Sequence, residues 1–350
     1  MAGLGKTTLR KGLIEAATKG KIFSMAPPPA SLAQIHERFE TASDTTVAAS
    51  VAMGVWQTTL NAEASCAGIG LHSGSDITMT LRPAPADTGI VFIRTDVEEA
   101  VEGFIPAVCG SVCDVTLSSK IGNKYGHVVG TVEHLMAALA GLRIDNAIIE
   151  INGPEVPIMD GSAQPFVELI EQAGICELAV SRRVLRIKKT VRVENNDSFC
   201  ELLPDDESVF EAEIDFETSA IGRQSYEMKL DNGRFDDDVA SARTFCMLTQ
   251  VEAMHSAGLA LGGSVKNAIV IDGDEVMNEE GLRSPSEFVQ HKLLDAIGDL
   301  YLLGLHVVGR YRGYKSGHSL HNKLLNALFM EPEAFEIVNL ANDETILAAE

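Results

Sequence analysis

His291, Asp295 and Asp299 recur at four-residue steps, and this is where chemistry is most concentrated in the chain. Around them Phe288, Val289, Leu293, Leu294, Ala296, Ile297, Leu300, Tyr301 and Leu303 leave almost no polar face. The three therefore form one narrow stripe on a helix that is otherwise apolar nearly all round, which is the pattern of a buried helix. Buried carboxylates and imidazoles are costly unless they are paired or bound to a cation. Spacing of i, i+4 lets two helical side chains converge on one metal ion. A satisfied His–Asp hydrogen bond inside a core is the competing reading.

A second constellation lies in Thr131-Val132-Glu133-His134-Leu135, which opens an earlier helix. Adjacent helical residues point about 100° apart and do not chelate side by side, but they can divide labour. His134 would bind a metal while Glu133 reaches the water to be activated. The positive end of the helix disfavours a protonated imidazole, which suits a neutral ligand. Taken alone, an adjacent Glu-His pair at the start of a surface helix is ordinary. The third constellation is Lys315-Ser316-Gly317-His318, where a histidine in a polar, glycine-containing loop suits acid–base work and is also a common turn residue. Together these supply two histidines and an aspartate, with a free glutamate and a free histidine. Three protein ligands plus water make an open catalytic zinc site, whereas structural sites are closed by four.

The elements that must position these residues read as a mixed fold. Ser284-Pro285-Ser286-Glu287 predicts the start of a helix over 285–303, with Ser284 as N-cap and Glu287 completing a capping box. Thr131–Leu142 predicts another helix closed near Gly141, and Phe166–Ala173 a short one ended by Gly174. Residues 57–60, 76–81, 89–94 and 146–151 read as strands, the second with near-perfect alternation. Past Ser181-Arg182-Arg183 the mix repeats, with strands at 185–194, 198–203, 208–216 and 267–271 and a helical stretch at 240–256. The expectation is an α+β chain of two domains, 56–180 and 181–335, facing each other. Residues 1–55, with Ala26-Pro27-Pro28-Pro29-Ala30, read as a disordered extension, and 336–350 as a C-terminal tail.

Composition excludes several classes. A chain of 350 residues with 45% hydrophobic content can bury real cores, and a net charge of −22 argues against a sequence-independent nucleic-acid binder. Any phosphate-bearing substrate must be held by a few local cations. The six cysteines, Cys66, Cys109, Cys113, Cys176, Cys200 and Cys246, form no CxxC pair and no dense framework, which fits reduced thiols in a cytoplasmic enzyme. No stretch approaches the roughly 18 to 20 apolar residues of a membrane span. Gly3-Leu4-Gly5-Lys6-Thr7-Thr8 imitates a phosphate loop but lacks the upstream strand and the earlier glycine. The HExxH helix of common zinc peptidases is absent, which leaves a metal-dependent amidase on another substrate as the alternative within enzymes.

These motifs, with Ala242-Arg243-Thr244-Phe245, Gly70-Leu71-His72-Ser73-Gly74 and Val156-Pro157-Ile158-Met159-Asp160-Gly161-Ser162-Ala163, resemble the UDP-3-O-acyl-N-acetylglucosamine deacetylases. The resemblance runs from about Gln57 to Ala327. It implies two α/β layers packed helix face to helix face, with the site between them. It also implies one catalytic zinc ion and hydrolysis of the N-acetyl group of a lipid-linked UDP-sugar, the committed step of lipid A synthesis. The enzyme would act as a monomer near the inner face of the cytoplasmic membrane, without an integral membrane segment or a nucleic-acid partner.

Carried over position by position, the resemblance makes His134, His291 and Asp295 the zinc ligands and Glu133 the general base. His318 would be the general acid, oriented by Asp299, and Thr244 would hydrogen-bond the oxyanion. Phe245 would pack near the sugar ring and Lys292 would meet the polar substrate and its diphosphate. Leu117, Gly263 and Ser264 would lie along the substrate and acyl passage. His321 departs from the family pattern, which commonly has Asn there, and adds an unexpected imidazole near the site; Thr116 departs as well.

Overall fold

The computed structural model of the protein describes residues 54–230 and 235–340. The first half is built on a five-stranded sheet in the spatial order Ala64–Ile69, Asp76–Pro83, Ala147–Ile151, Ile90–Arg94 and Phe104–Pro106. The alternation of Asp76–Pro83 does what its period dictates, with Ile77, Met79 and Leu81 buried and Asp76 and Thr78 exposed. Against the buried face lie helix α1 (Glu133–Gly141) and helix α2 (Gln164–Ala173). Every residue of α1 is buried, so it is an interior helix rather than an amphipathic cover. The strand Trp56–Leu60 pairs antiparallel with Ile175–Ser181, bringing the two ends of this half together.

The second half is organised by the long strand His306–Tyr314, which runs parallel to Arg183–Ile187 and Ser208–Asp215 and antiparallel to Ser198–Leu203. An excursion from this half carries helix α3 (Leu248–Ser256), and two helices cover the sheet, α4 (Glu287–Tyr301) and α5 (His318–Met330). The halves meet where α4 crosses α1. Gly298 makes the close approach possible: a Cβ there would collide with the Glu133 carbonyl oxygen and stand 3.1 Å from the Ala137 nitrogen. The architecture is α+β, two sheet-and-helix layers facing each other through their helices.

Several boundaries differ from the sequence reading. The stretch 185–194 is two strands, Arg183–Ile187 and Val191–Asn195, because the Lys188 and Lys189 nitrogens leave the sheet to donate to the Ala334 carbonyl at 2.7 and 3.2 Å. The stretch 240–256 begins as the strand Phe245–Met247, whose backbone is taken in parallel pairing by Ile269–Asp272, and only then becomes α3. Helix α4 starts at Glu287 rather than Pro285, with Ser286 at the N-cap. Glu287 does not complete a capping box, since its carboxylate accepts from the Arg243 guanidinium at 2.8 Å and from the Arg283 nitrogen at 2.6 Å.

The terminal assignments also need correction. Phe335–Asn339 pairs antiparallel with Arg183–Ile187, so 336–339 belongs to the second sheet and not to a tail. Gly54 and Val55 belong to the folded part, because the Val55 carbonyl accepts from the Arg182 nitrogen at 2.8 Å. The rest of the expected extension and tail, 1–53 and 341–350, lies outside the described residues. Among the described residues no helix is long and apolar enough to cross a membrane, and none of the six cysteines is disulfide-bonded.

Candidate active site

Two strained backbone positions set the entrance to α1. Thr131, a β-branched residue, takes φ +53°, and its hydroxyl donates to the buried Glu155 carboxylate at 2.8 Å. That carboxylate also accepts from the backbone nitrogens of His72 (2.9 Å) and Ser73 (3.0 Å), so one buried acid holds both the Gly70–Gly74 turn and the approach to the helix. Leu117 takes φ +69° just before Ser118-Ser119, whose side chains are buried while Leu117 itself is 51% exposed. With these turns fixed, Glu133 and His134 sit in the first turn of α1 and face α4.

From α4, His291 and Asp295 meet His134. Asp295 Oδ1 stands 3.4 Å from His291 Nε2 and 3.7 Å from His134 Nε2, and one ligand atom from each residue lies within 4.8 Å of the others. All three are buried. His291 Nδ1–H donates to the Ala242 carbonyl at 3.0 Å, which fixes the ring and turns the Nε2 lone pair toward Asp295 and His134. Burial pushes the His291 imidazole down to about 3, so it is a neutral donor. Two imidazole nitrogens and a carboxylate oxygen converging in a dry interior fit a divalent cation of the zinc type with a position left open.

Beside this group lies an acid–base pair. His318, the first residue of α5, has Nε2 at 3.7 Å from Glu133 Oε1 and donates through Nδ1 to Asp299 Oδ2 at 2.7 Å. Burial pushes the Glu133 carboxyl up to about 7, with His318 and His134 working against that rise. For His318 burial opposes the charged form, but the Asp299 and Glu133 carboxylates outweigh it and push the imidazole up to about 10. Asp299 is held well below the usual carboxylate range: burial opposes its ionisation, and His318 and His321 overcome it. The site thus sets a carboxyl able to take a proton near neutrality beside an imidazolium able to give one.

The structure brings six of the expected residues together: Glu133, His134, His291, Asp295, Asp299 and His318. Lys292 joins them through Asp295 Oδ2 at 2.8 Å, and its ammonium lies 5.3 Å from the Phe245 ring centroid. Phe245 in turn meets the His291 ring edge-on at 6.3 Å. Thr244 is held by its backbone, its nitrogen donating to Gly161 O and its carbonyl accepting from Ile269 N, both at 2.8 Å. Its hydroxyl is not engaged by other described residues. Gly263 and Ser264 belong to the turn after α3, whose Gly262 nitrogen donates to Leu71 O at 3.0 Å and whose Ser264 nitrogen donates to Asn267 Oδ1 at 2.8 Å. Leu117 stands on the loop that delivers Ser119 rather than at the ligands.

Sequence reasoning missed Ser119. Its nitrogen donates to Glu133 Oε2 at 3.1 Å and its hydroxyl to Asp299 Oδ1 at 2.5 Å, so it links the two halves of the site. No spacing rule could find it, because it sits in an irregular loop far from both partners in sequence. Tyr311, on the strand His306–Tyr314, and Ser316, quoted in its motif without a role, also support the site by meeting His321, a contact that neither strand alternation nor the motif reveals.

Three side chains able to hold a metal ion beside a carboxyl–imidazole pair, at the seam of two sheet-and-helix layers, have the make-up of a metallohydrolase site. Comparison with known proteins narrows the class. The family model of UDP-3-O-acyl N-acetylglycosamine deacetylase matches residues 57–330, and the chain belongs to that family. It is 47% identical over 289 residues to the UDP-3-O-acyl-N-acetylglucosamine deacetylase of Phenylobacterium zucineum (strain HLK1), spanning 83% of this chain and 98% of that one. Similar figures hold for proteins of the same name from Histophilus somni (strain 129Pt), 47% over 292 residues, with 83% and 95% covered. For Shewanella violacea the identity is 45% over 291 residues, with 83% and 94% covered.

Proposed function

We propose that the protein hydrolyses the N-acetyl group of UDP-3-O-acyl-N-acetylglucosamine, releasing acetate and a free amine in the committed step of lipid A synthesis. The observation that carries this reading is the meeting of the His134/His291/Asp295 group with the Glu133–His318 pair. His134, His291 and Asp295 would hold one zinc ion, which when bound would acidify water and polarise the amide carbonyl.

The chain's own residues account for the proton traffic. Glu133 takes the proton from the attacking water. His318, kept charged by Asp299, protonates the departing nitrogen. Thr244 offers its hydroxyl to the oxygen on which negative charge develops. Lys292 supplies the local cation that an acidic protein needs for a diphosphate substrate, and Phe245 packs against the sugar ring. Leu117, Gly263 and Ser264 border the path of the acyl chain. The enzyme works as a monomer at the inner face of the cytoplasmic membrane.

The test is acetate release from UDP-3-O-(3-hydroxyacyl)-N-acetylglucosamine by chelated protein, with and without one equivalent of zinc. Activity restored by zinc and lost in Glu133→Ala supports the reading. A protein that binds zinc and releases no acetate refutes the substrate assignment.

A further inference from the structure

We propose that His321 is a positioning residue for His318, acting through the carboxylate of Asp299. Asp299 Oδ2 accepts from two imidazoles at once, His318 Nδ1 and His321 Nδ1, each at 2.7 Å. The two histidines are one turn apart on α5, with rings nearly perpendicular at 87° and centroids 6.3 Å apart. They clasp one oxygen from two directions, while Ser119 holds the other.

His321 is itself locked. It is 1% exposed, and its Nε2 stands 2.9 Å from the Tyr311 hydroxyl and 3.3 Å from the Ser316 hydroxyl. With Nδ1 turned to Asp299, Nε2 faces the Tyr311 hydroxyl, a group that can donate or accept there. Tyr311 lies within 2.9 Å of Ser316, so the same small network anchors the ring and closes the turn preceding α5. A buried polar network of this kind, with every member engaged, fixes the rotamers of its members.

Two consequences follow for His318. A carboxylate held from three sides cannot rotate, so His318 Nε2 stays directed at Glu133. The second donor on Oδ2 also draws charge away from the bond to His318, which tempers how strongly Asp299 retains the proton. The charged and titratable groups facing His318 are Glu133 on α1, Asp299 and Asp295 on α4, and His321 on its own helix. Among them only His321 adjusts Asp299 without touching His318's reacting nitrogen.

This inference rests on His318 being the proton donor of the proposed hydrolysis. Its test therefore pairs turnover with a readout that needs no substrate: the Nδ1–H resonance of His318 in metal-loaded protein carrying 15N-histidine, identified by its loss in His318→Gln. In His321→Leu the resonance should move downfield as the bond to Asp299 strengthens, and kcat should fall about tenfold, the worth of about one charge-assisted hydrogen bond, with KM within about twofold of the parent. His321→Asn, which keeps one N–H donor, should recover part of both. An unmoved resonance in folded His321→Leu overturns the proposal, whatever happens to kcat. Should that variant not fold, Tyr311→Phe decides: it keeps the ring packing and removes the nearer of the two hydroxyls at His321 Nε2, leaving Ser316 at 3.3 Å, and should move the resonance; no movement overturns the proposal. Failure of the hydrolysis reading would appear separately, as a parent enzyme that releases no acetate.

Discussion

His318 reaches Asp299 through one ring nitrogen at 2.7 Å and looks at Glu133 through the other at 3.7 Å. Its charge is therefore set on one side and used on the other. Proton donation requires the imidazolium, which the carboxylates hold up to about 10 against burial. Activity should persist through neutral pH and fall as pH rises through that value. Asp299→Asn removes the negative charge that raises His318, so the alkaline limb should move toward acid by about one to two units. Profiles of kcat/KM against pH for the parent and Asp299→Asn check this; coincident alkaline limbs would contradict it.

Chelation should abolish activity reversibly, with one equivalent of divalent cation restoring it. In His291→Ala the donor set falls to one imidazole and one carboxylate, and the Ala242 carbonyl loses its partner. Metal affinity should fall by more than the roughly 10- to 100-fold typical of losing only an outer hydrogen bond. Elemental analysis after dialysis, read beside a far-UV spectrum, measures the loss. Retention of a full equivalent of metal by the folded variant would move the cation elsewhere.

Gly298→Ala should loosen the crossing of α1 and α4. The added Cβ meets backbone, the Glu133 carbonyl carbon at 2.8 Å and the Ala137 nitrogen at 3.1 Å, and neither can move aside without shifting the helix. Overpacking of this kind costs about 1 to 3 kcal/mol. The site spans the same crossing, so kcat should fall along with the melting temperature. An unchanged melting temperature would show that the helices have room to part.

Glu287→Gln should destabilise the protein more than it perturbs any single catalytic contact. Glu287 is fully buried and accepts from Arg243 at 2.8 and 3.2 Å. Breaking a buried ion pair costs about 3 to 5 kcal/mol where the other charge is left alone; Arg243 keeps Glu280 at 2.7 Å and the Gly281 carbonyl at 2.7 Å, so the loss here should fall below that range. Arg243 immediately precedes Thr244 and Phe245, so KM should rise with the loss of stability. Urea unfolding and steady-state kinetics measure the two effects, and a variant as stable as the parent would argue against the pair.

The site was largely legible in the sequence because its main helix advertises itself. A polar stripe of His291, Asp295 and Asp299 on an apolar helix has few physical explanations, and the structure finds every one of these side chains engaged. Glu133, His134 and His318 were visible as two weaker constellations, and motif resemblance then tied them to the same site. What stayed hidden depends on loops. Ser119 is delivered by a turn with a left-handed Leu117, and no periodicity encodes that. Element boundaries failed where tertiary pairing overrode local pattern, as at Phe245–Met247, whose place in a sheet is fixed by Ile269–Asp272 more than twenty residues on. Glu287 has the look of a capping residue and instead serves Arg243, a partner that local sequence cannot reveal.

The crossing of α1 over α4 has a consequence for how the enzyme matures. His134 and His291 are contributed by opposite halves, so no part of the chain can assemble the ligand group before both halves have folded and docked. Long-range contacts of this kind form late, and a cation captured there is captured by the finished body. Metal uptake is then a readiness signal. A nascent or half-folded chain would stay inert, and an ion held by His134 and His291 together would also tie the two halves to each other.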